Sequence, residues 1–289
     1  MRRILVPLDG TDRATAILPD ARRLAGPDGE LLLVHDTRAA PADLGQYSES
    51  AAAKYLDGVA EALRAQGTSV KTHTLRLDNV AVAIDEAATT FKVDMIAVAT
   101  HGRNPAERLF WGSIAWRVLA HSPVPVLLRH VERAENPEDD GEGRNRHILV
   151  PLDSSALAER ALPLARELAA EWNASVSLAQ VATSTVTGFP DDPHLDPSYP
   201  TPPVVRAART YLEQFVPRFA GRAQAEVLTG PTAEALVDAV SNRGITDVVM
   251  TSHGRTGLAR VIFGSVADSL IHQLRCPIMI IPPLALVAE

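Results

Sequence analysis

The chain has 289 residues, of which 46% are hydrophobic, 22% charged and 4% aromatic; such a composition supports buried cores and excludes collagenous and wholly disordered classes. The length suits two domains of ordinary size better than one. With 28 basic against 35 acidic residues the net charge is −7, which disfavours nucleic acid and anionic membrane surfaces as partners.

The N-terminus opens with Arg2-Arg3 and an apolar run that breaks at Pro7 and Asp9. That run is too short for the core of a signal peptide and reads as a buried strand, Ile4 to Leu8. The hexapeptide Ile4-Leu5-Val6-Pro7-Leu8-Asp9 recurs as Ile148-Leu149-Val150-Pro151-Leu152-Asp153, and Leu18-Pro19 recurs as Leu162-Pro163 at the same offset of 144. Further on, His101-Gly102-Arg103 and Gly112-Ser113 return as His253-Gly254-Arg255 and Gly264-Ser265, both at an offset of 152. Self-similarity of this kind marks tandem copies of one unit. Between the copies, residues 132–145 are acid-rich and hold no aliphatic side chain larger than alanine. This segment is expected to be a solvated linker joining a first domain, 1–131, to a second, 146–289.

In the second copy the pattern predicts strands over His147–Leu152, Ser175–Val181, Ala223–Leu228, Asp247–Thr251 and Pro277–Ile281. Helices are predicted between them, at about Leu157–Glu171, Val204–Phe219, Thr232–Arg243 and Gly264–Leu274, from apolar spacing such as Leu162, Ala165, Leu168 and Ala169. The first copy follows the same order. Near-continuous apolar strands separated by amphipathic helices predict an α/β fold, two tandem doubly wound domains, each a parallel sheet with helices on both faces. Thr183 to Pro203 carries six prolines and is expected to be a surface excursion. The C-terminal apolar stretch, Ile278 to Ala288, is interrupted by Pro282-Pro283 and is shorter than the ~20 residues of a membrane helix.

The same residues limit the chemistry. Lys54, Lys71 and Lys92 are the only lysines, so the second copy has no lysine nucleophile or P-loop lysine. The single cysteine, Cys276, excludes an internal disulfide and a thiolate zinc cluster and fits a reducing cytoplasm. No histidine or carboxylate spacing gathers a metal. Ligands of open α/β sheets bind beyond the carboxyl ends of strands, where strand order reverses. Two segments of each copy should end there. One is Pro151-Leu152-Asp153. The other is the loop from Thr251, Ser252 and His253 through Gly254, Arg255, Gly257 and Arg260 to Gly264, Ser265 and Val266. Its glycines let backbone approach a ligand, and a helix starting at Gly264-Ser265 offers free amides and a positive dipole end to an anion. Ser265 adds a hydroxyl, and Arg255 and Arg260 add charge. Neither a Walker A loop nor a GxGxxG fingerprint is present. Asp153 and Asp9 read equally well as helix N-caps.

A V-P-L-D first strand followed by a loop of form G-x-x-G, nine residues, then G-[ST] resembles the universal stress protein family, and both copies carry the pattern across nearly the whole chain. The resemblance implies a Rossmann-like, adenine nucleotide alpha hydrolase-like fold with five parallel strands per domain, ATP bound at the strand ends, with Mg2+ as its counter-ion, and a cytoplasmic role in stress adaptation. By position, Pro151 and Asp153 would border adenine and ribose, Val181 would lie beside the base, and Gly254, Gly264, Ser265 and Val266 would hold the phosphates. In the first copy the matching positions are Pro7, Asp9, Gly102, Arg103, Gly112 and Ser113. Ala99 and Thr251 stand where the motif has its first glycine, Asn104-Pro105-Ala106-Glu107 replaces Thr256-Gly257-Leu258-Ala259, and Asp36 falls where the second copy has Val181. The second site is therefore expected to bind better than the first.

The sequence thus points to a nucleotide-binding regulatory protein rather than an enzyme, since no catalytic base or nucleophile accompanies the anion cradle. Two alternatives remain: an interaction module of the same fold without nucleotide, and a slow ATPase. An unidentified protein partner, an internal pseudo-two-fold pairing through the apolar last strands, and homodimerisation are further expectations.

Overall fold

The computed structural model describes residues 2–37, 49–76, 79–100, 113–131, 145–182, 202–252 and 264–282. Two compact units divide the chain, Met1–Glu142 with Ile280–Glu289, and Gly143–Met279. In the first copy, strands β1 (Arg3–Pro7), β2 (Glu30–Asp36), β3 (Ser69–Leu75), β4 (Met95–Thr100) and β5 (Val126–His130) alternate with helices α1 (Asp12–Thr15), α2 (Leu18–Ala25), α3 (Glu49–Ala65), α4 (Val80–Thr90) and α5 (Ser113–His121). The strands run in the order β3-β2-β1-β4-β5, and the paired strands are parallel.

The second copy repeats the plan with β6 (His147–Pro151), β7 (Ser175–Ala182), β8 (Ala223–Thr229), β9 (Asp247–Thr251) and β10 (Ile278–Ile281), and with α6 (Ala156–Glu159), α7 (Leu162–Glu171), α8 (Pro203–Glu213), α9 (Thr232–Asn242) and α10 (Ser265–Gln273). Its order is β8-β7-β6-β9-β10. Every residue of β2 and of β9 is buried. Because successive side chains point to opposite faces of a sheet, burial at every position means that helices cover both faces. In each copy the order reverses beside the first strand, between β1 and β4 and between β6 and β9, which puts a crevice at their carboxyl ends.

Proline corrects two of the predicted helices. The helix expected over Leu157–Glu171 is two helices, α6 and α7, because Pro163 at the start of α7 has no amide for the preceding turn and its ring displaces the carbonyl four residues earlier. Pro19 divides α1 from α2 in the same way. The helix expected to reach Phe219 ends at Glu213, and Pro217 sits in a separate 3-10 turn, Val216–Phe219. The last strand begins at Ile278 rather than Pro277, and Cys276 ahead of it is half-buried and in no disulfide.

One polar cluster interrupts the core of the first unit. Asp20 on α2 is completely buried and pairs with Arg129 on β5 at 2.5 Å and with Arg23 at 2.9 Å. At the matching positions the second copy is apolar. Leu164 stands where Asp20 would be, and Ile281 stands where Arg129 would be, since Pro125 and Pro277 accept from the equivalent amides of Ile96 and Val248.

Candidate functional site

The crevice of the second unit is built from three strand ends. The β6–β7 ladder continues past β6, with the Leu152 amide donating to the Ala179 carbonyl at 2.7 Å. This carries Pro151, Leu152 and Asp153 to the carboxyl end of the sheet beside Val181 of β7. Leu152 is buried, whereas Pro151, Asp153 and Val181 are half-buried at that end. On the other side β9 lies parallel to β6 and ends in Thr251 and Ser252, both buried. Thr251 therefore spends its side chain inside the protein.

The N-cap reading of the two aspartates does not hold. Asp153 is not the N-cap of α6. Its Oδ1 accepts the Ser155 amide at 3.0 Å, and Ser155 is the cap, accepting the Ala158 amide through Oγ at 3.1 Å. In the first copy Asp9 accepts both the amide of Thr11, at 3.0 Å, and its hydroxyl, at 2.6 Å, and Thr11 caps α1. The aspartates brace the turns, and the next-but-one residues cap the helices. Between brace and cap the backbone is left-handed, with φ +86° at Gly10 and +66° at Ser154. Glycine adopts this region freely and serine does so at a cost. Gln180 Nε2 donates to Ser154 Oγ at 3.0 Å, which helps hold the turn.

Two further residues meet the corner. Tyr211 on α8 donates its hydroxyl to Glu159 Oε1 at 3.1 Å. Burial, then the neighbouring Glu159 and Asp153 charges, holds its phenol protonated well above the ordinary tyrosine range. No pattern in the sequence pointed to Tyr211, Glu159 or Gln180, whose contacts cross between elements. The left-handed turn was legible, because Gly10 occupies the position of Ser154 at the 144 offset.

The remaining wall is the start of α10. Gly264 is its N-cap, with φ −68° and ψ 151° and no side-chain cap. Its amide donates to the Ser252 carbonyl at 2.9 Å, fastening the helix start to the end of β9. Gly264 thus gives its own N–H to the protein, and the amides offered outward are those of Ser265, Val266 and Ala267, the first turn of the helix. Ser265 is exposed and Val266 half-buried. His253, Gly254, Arg255, Gly257 and Arg260 lie outside the described residues, as do Gly102, Arg103 and Gly112 in the first copy. Ser113 opens α5 as Ser265 opens α10.

The first unit closes its corner differently. Pro7 and Asp9 hold positions equivalent to Pro151 and Asp153. At the end of β2, however, His35 and Asp36 are both about 3% exposed, and His35 Nδ1 donates to the Leu8 carbonyl at 2.7 Å. A buried carboxyl stands where the second unit presents the half-buried Val181. Among the described residues no group of three or more metal-ligating side chains converges, and no helix is long and apolar enough to cross a membrane.

Comparisons with known proteins agree with this architecture. A sequence model of the universal stress protein family matches residues 1–130 and again 144–282. A universal stress protein of Thermus aquaticus is 34% identical over 133 residues, 44% of this chain and 97% of that protein. One from Methanocaldococcus jannaschii is 26% identical over 144 residues, 49% of this chain and 85% of that protein. Among solved structures, a universal stress protein of Archaeoglobus fulgidus superposes with a TM-score of 0.71 at 19% identity, covering 97% of this chain and 98% of that one. A putative universal stress protein of Pseudomonas aeruginosa gives 0.69 at 18% identity, covering 100% and 95%.

Proposed function

This chain belongs to the universal stress protein family, and from that premise we propose that it is a regulatory protein that binds an adenine nucleotide, ATP with Mg2+ as counter-ion, chiefly in the second unit and without rapid turnover. The observation that carries the proposal is the uncapped start of α10, fastened by Gly264 to Ser252 beside the Pro151–Asp153 corner at the point where strand order reverses. A helix start with no side-chain cap leaves its amides and dipole for an anion. The residues fit the group. Ser265, Val266 and Ala267 would supply main-chain donors to phosphate, Val181 an apolar wall for the base, and Asp153 an acceptor for ribose hydroxyls. Mg2+ would neutralise phosphate charge.

The first unit favours a second reading for its own crevice, an interaction module without nucleotide, because Asp36 brings a carboxyl to the position of the adenine wall. Titration calorimetry with ATP and Mg2+ tests both readings on the whole chain. One molecule bound per chain, lost in Gly264→Asp and retained in Asp9→Ala, is the expected result. No heat of binding at millimolar ATP, with no adenine nucleotide released on denaturing freshly purified protein, would overturn the proposal.

A further inference from the structure

In the first unit, α4 and α5 flank a groove of about 830 Å3 lined by Val82, Asp85, Glu86, Trp116, Arg117 and His121, among others, within the range of small-ligand sites. Val82 and Trp116 are two of the three exposed large hydrophobic residues among those described, at 45% and 38%. Between them Asp85 is half-buried, and its Oδ1 is shielded from solvent without a hydrogen-bond donor among the described residues. An ionised carboxylate in that position is costly unless a positive group compensates it from the groove side.

The second copy is an internal control. The residues equivalent to Asp85 and Trp116, at the offset of 152, are Val237 on α9 and Asp268 on α10. Neither the buried carboxyl nor the indole is therefore required to pack two helices in this fold. Both occur together, on facing helices of one copy.

We propose that the α4/α5 groove of the first unit binds a guanidinium group on an apolar stem, with Asp85 as its anionic partner and Trp116 as its stacking face. A planar guanidinium suits both at once: its fork of donors matches a carboxylate, and its weakly hydrated face stacks on an indole. Glu86 adds negative charge at the rim, Val82 packs along the stem, and Arg117 opposes the ligand from α5.

The test is calorimetric titration of the full chain with agmatine and, separately, with the blocked tripeptide acetyl-Ala-Arg-Ala-amide. Binding of at least one probe is expected to weaken at least ~10-fold in Asp85→Val and Asp85→Asn and at least ~3-fold in Trp116→Ala, and to tighten ~3-fold in Arg117→Ala. Asp85→Val carries the residue that the second copy already tolerates, and Asp85→Asn keeps the shape of the side chain. Tighter binding of agmatine assigns the groove to a small free cation, and tighter binding of the peptide assigns it to an arginine of a partner protein. Absence of binding by both probes up to about 10 mM, unchanged affinity in the Asp85 variants, or equal affinity for butylamine would overturn the proposal.

Discussion

Replacing Asp20 by leucine removes the carboxylate that pairs with the Arg129 guanidinium, whose side chain is 8% exposed, inside the first unit. Breaking a buried pair by removing one member is strongly destabilising, and the expected loss is about 3–5 kcal/mol. Replacing Arg129 by isoleucine is milder. Asp20 keeps Arg23 at 2.9 Å, on a side chain 13% exposed, so about 1–3 kcal/mol is expected. The double variant Asp20→Leu/Arg129→Ile installs the combination that the second copy already uses at Leu164 and Ile281. Exchanging a buried ion pair for apolar side chains of similar size is often neutral, but Arg23, 13% exposed, loses its Asp20 contact as well, so the double variant should fall within about 2 kcal/mol of the parent. The cycle then gives a coupling of about 2 kcal/mol or more. Urea denaturation followed by tryptophan fluorescence in a Trp172→Phe background reads the first unit, because Trp111 and Trp116 both belong to it. A double variant as destabilised as the sum of the two single ones would refute the reasoning, because Asp20 and Arg129 would then not compensate each other.

Three further outcomes are expected. Burial pushes the Asp85 carboxyl from its usual 3.8 up to about 7, so the folded chain binds a proton more tightly than the unfolded one, and stability falls as pH rises between about 4 and 7. Allowing for screening of a half-exposed group, the loss is about 1–2 kcal/mol; Asp85→Asn should flatten that part of the stability–pH curve, and an unchanged slope would count against the assignment. Gly264→Asp should abolish ATP binding with little change in melting temperature, because φ −68° suits any residue and a Cβ there meets the Ser252 carbonyl only at 3.7 Å; a large fall in stability would show that steric crowding, not charge, is responsible. Gly10→Ala should cost about 1–2 kcal/mol by chemical denaturation, through its φ of +86° rather than packing, since the nearest atom, His35 Cε1, would lie 3.8 Å away.

Repetition made most of the architecture readable. An identical hexapeptide and two fixed offsets define copies, strand runs and the positions of both corners, and these are local properties of the chain. Proline breaks at Pro163 and Pro217 are equally local, yet apolar periodicity runs straight through them and masks the breaker. Helix capping was half legible. Asp-x-Ser and Asp-x-Thr name the turn, but whether the aspartate or the hydroxyl caps depends on the left-handed residue between them. Contacts such as Tyr211 with Glu159, 52 residues apart, follow from how α8 lies against α6, which no spacing rule encodes. The same holds for Asp20 with Arg129, 109 residues apart.

The single hydrogen bond from Gly264 to Ser252 gives the intervening stretch, 253–263, fixed ends. In the first copy 101–111 is its counterpart and has the same length. The bond ties the end of β9 to the first turn of α10, so whatever shifts the strand end carries the helix amides with it. An anion site built at that helix start takes its position from the sheet, and exchanging 253–263 for 101–111 between the copies asks directly how much of the difference between them resides in those eleven residues.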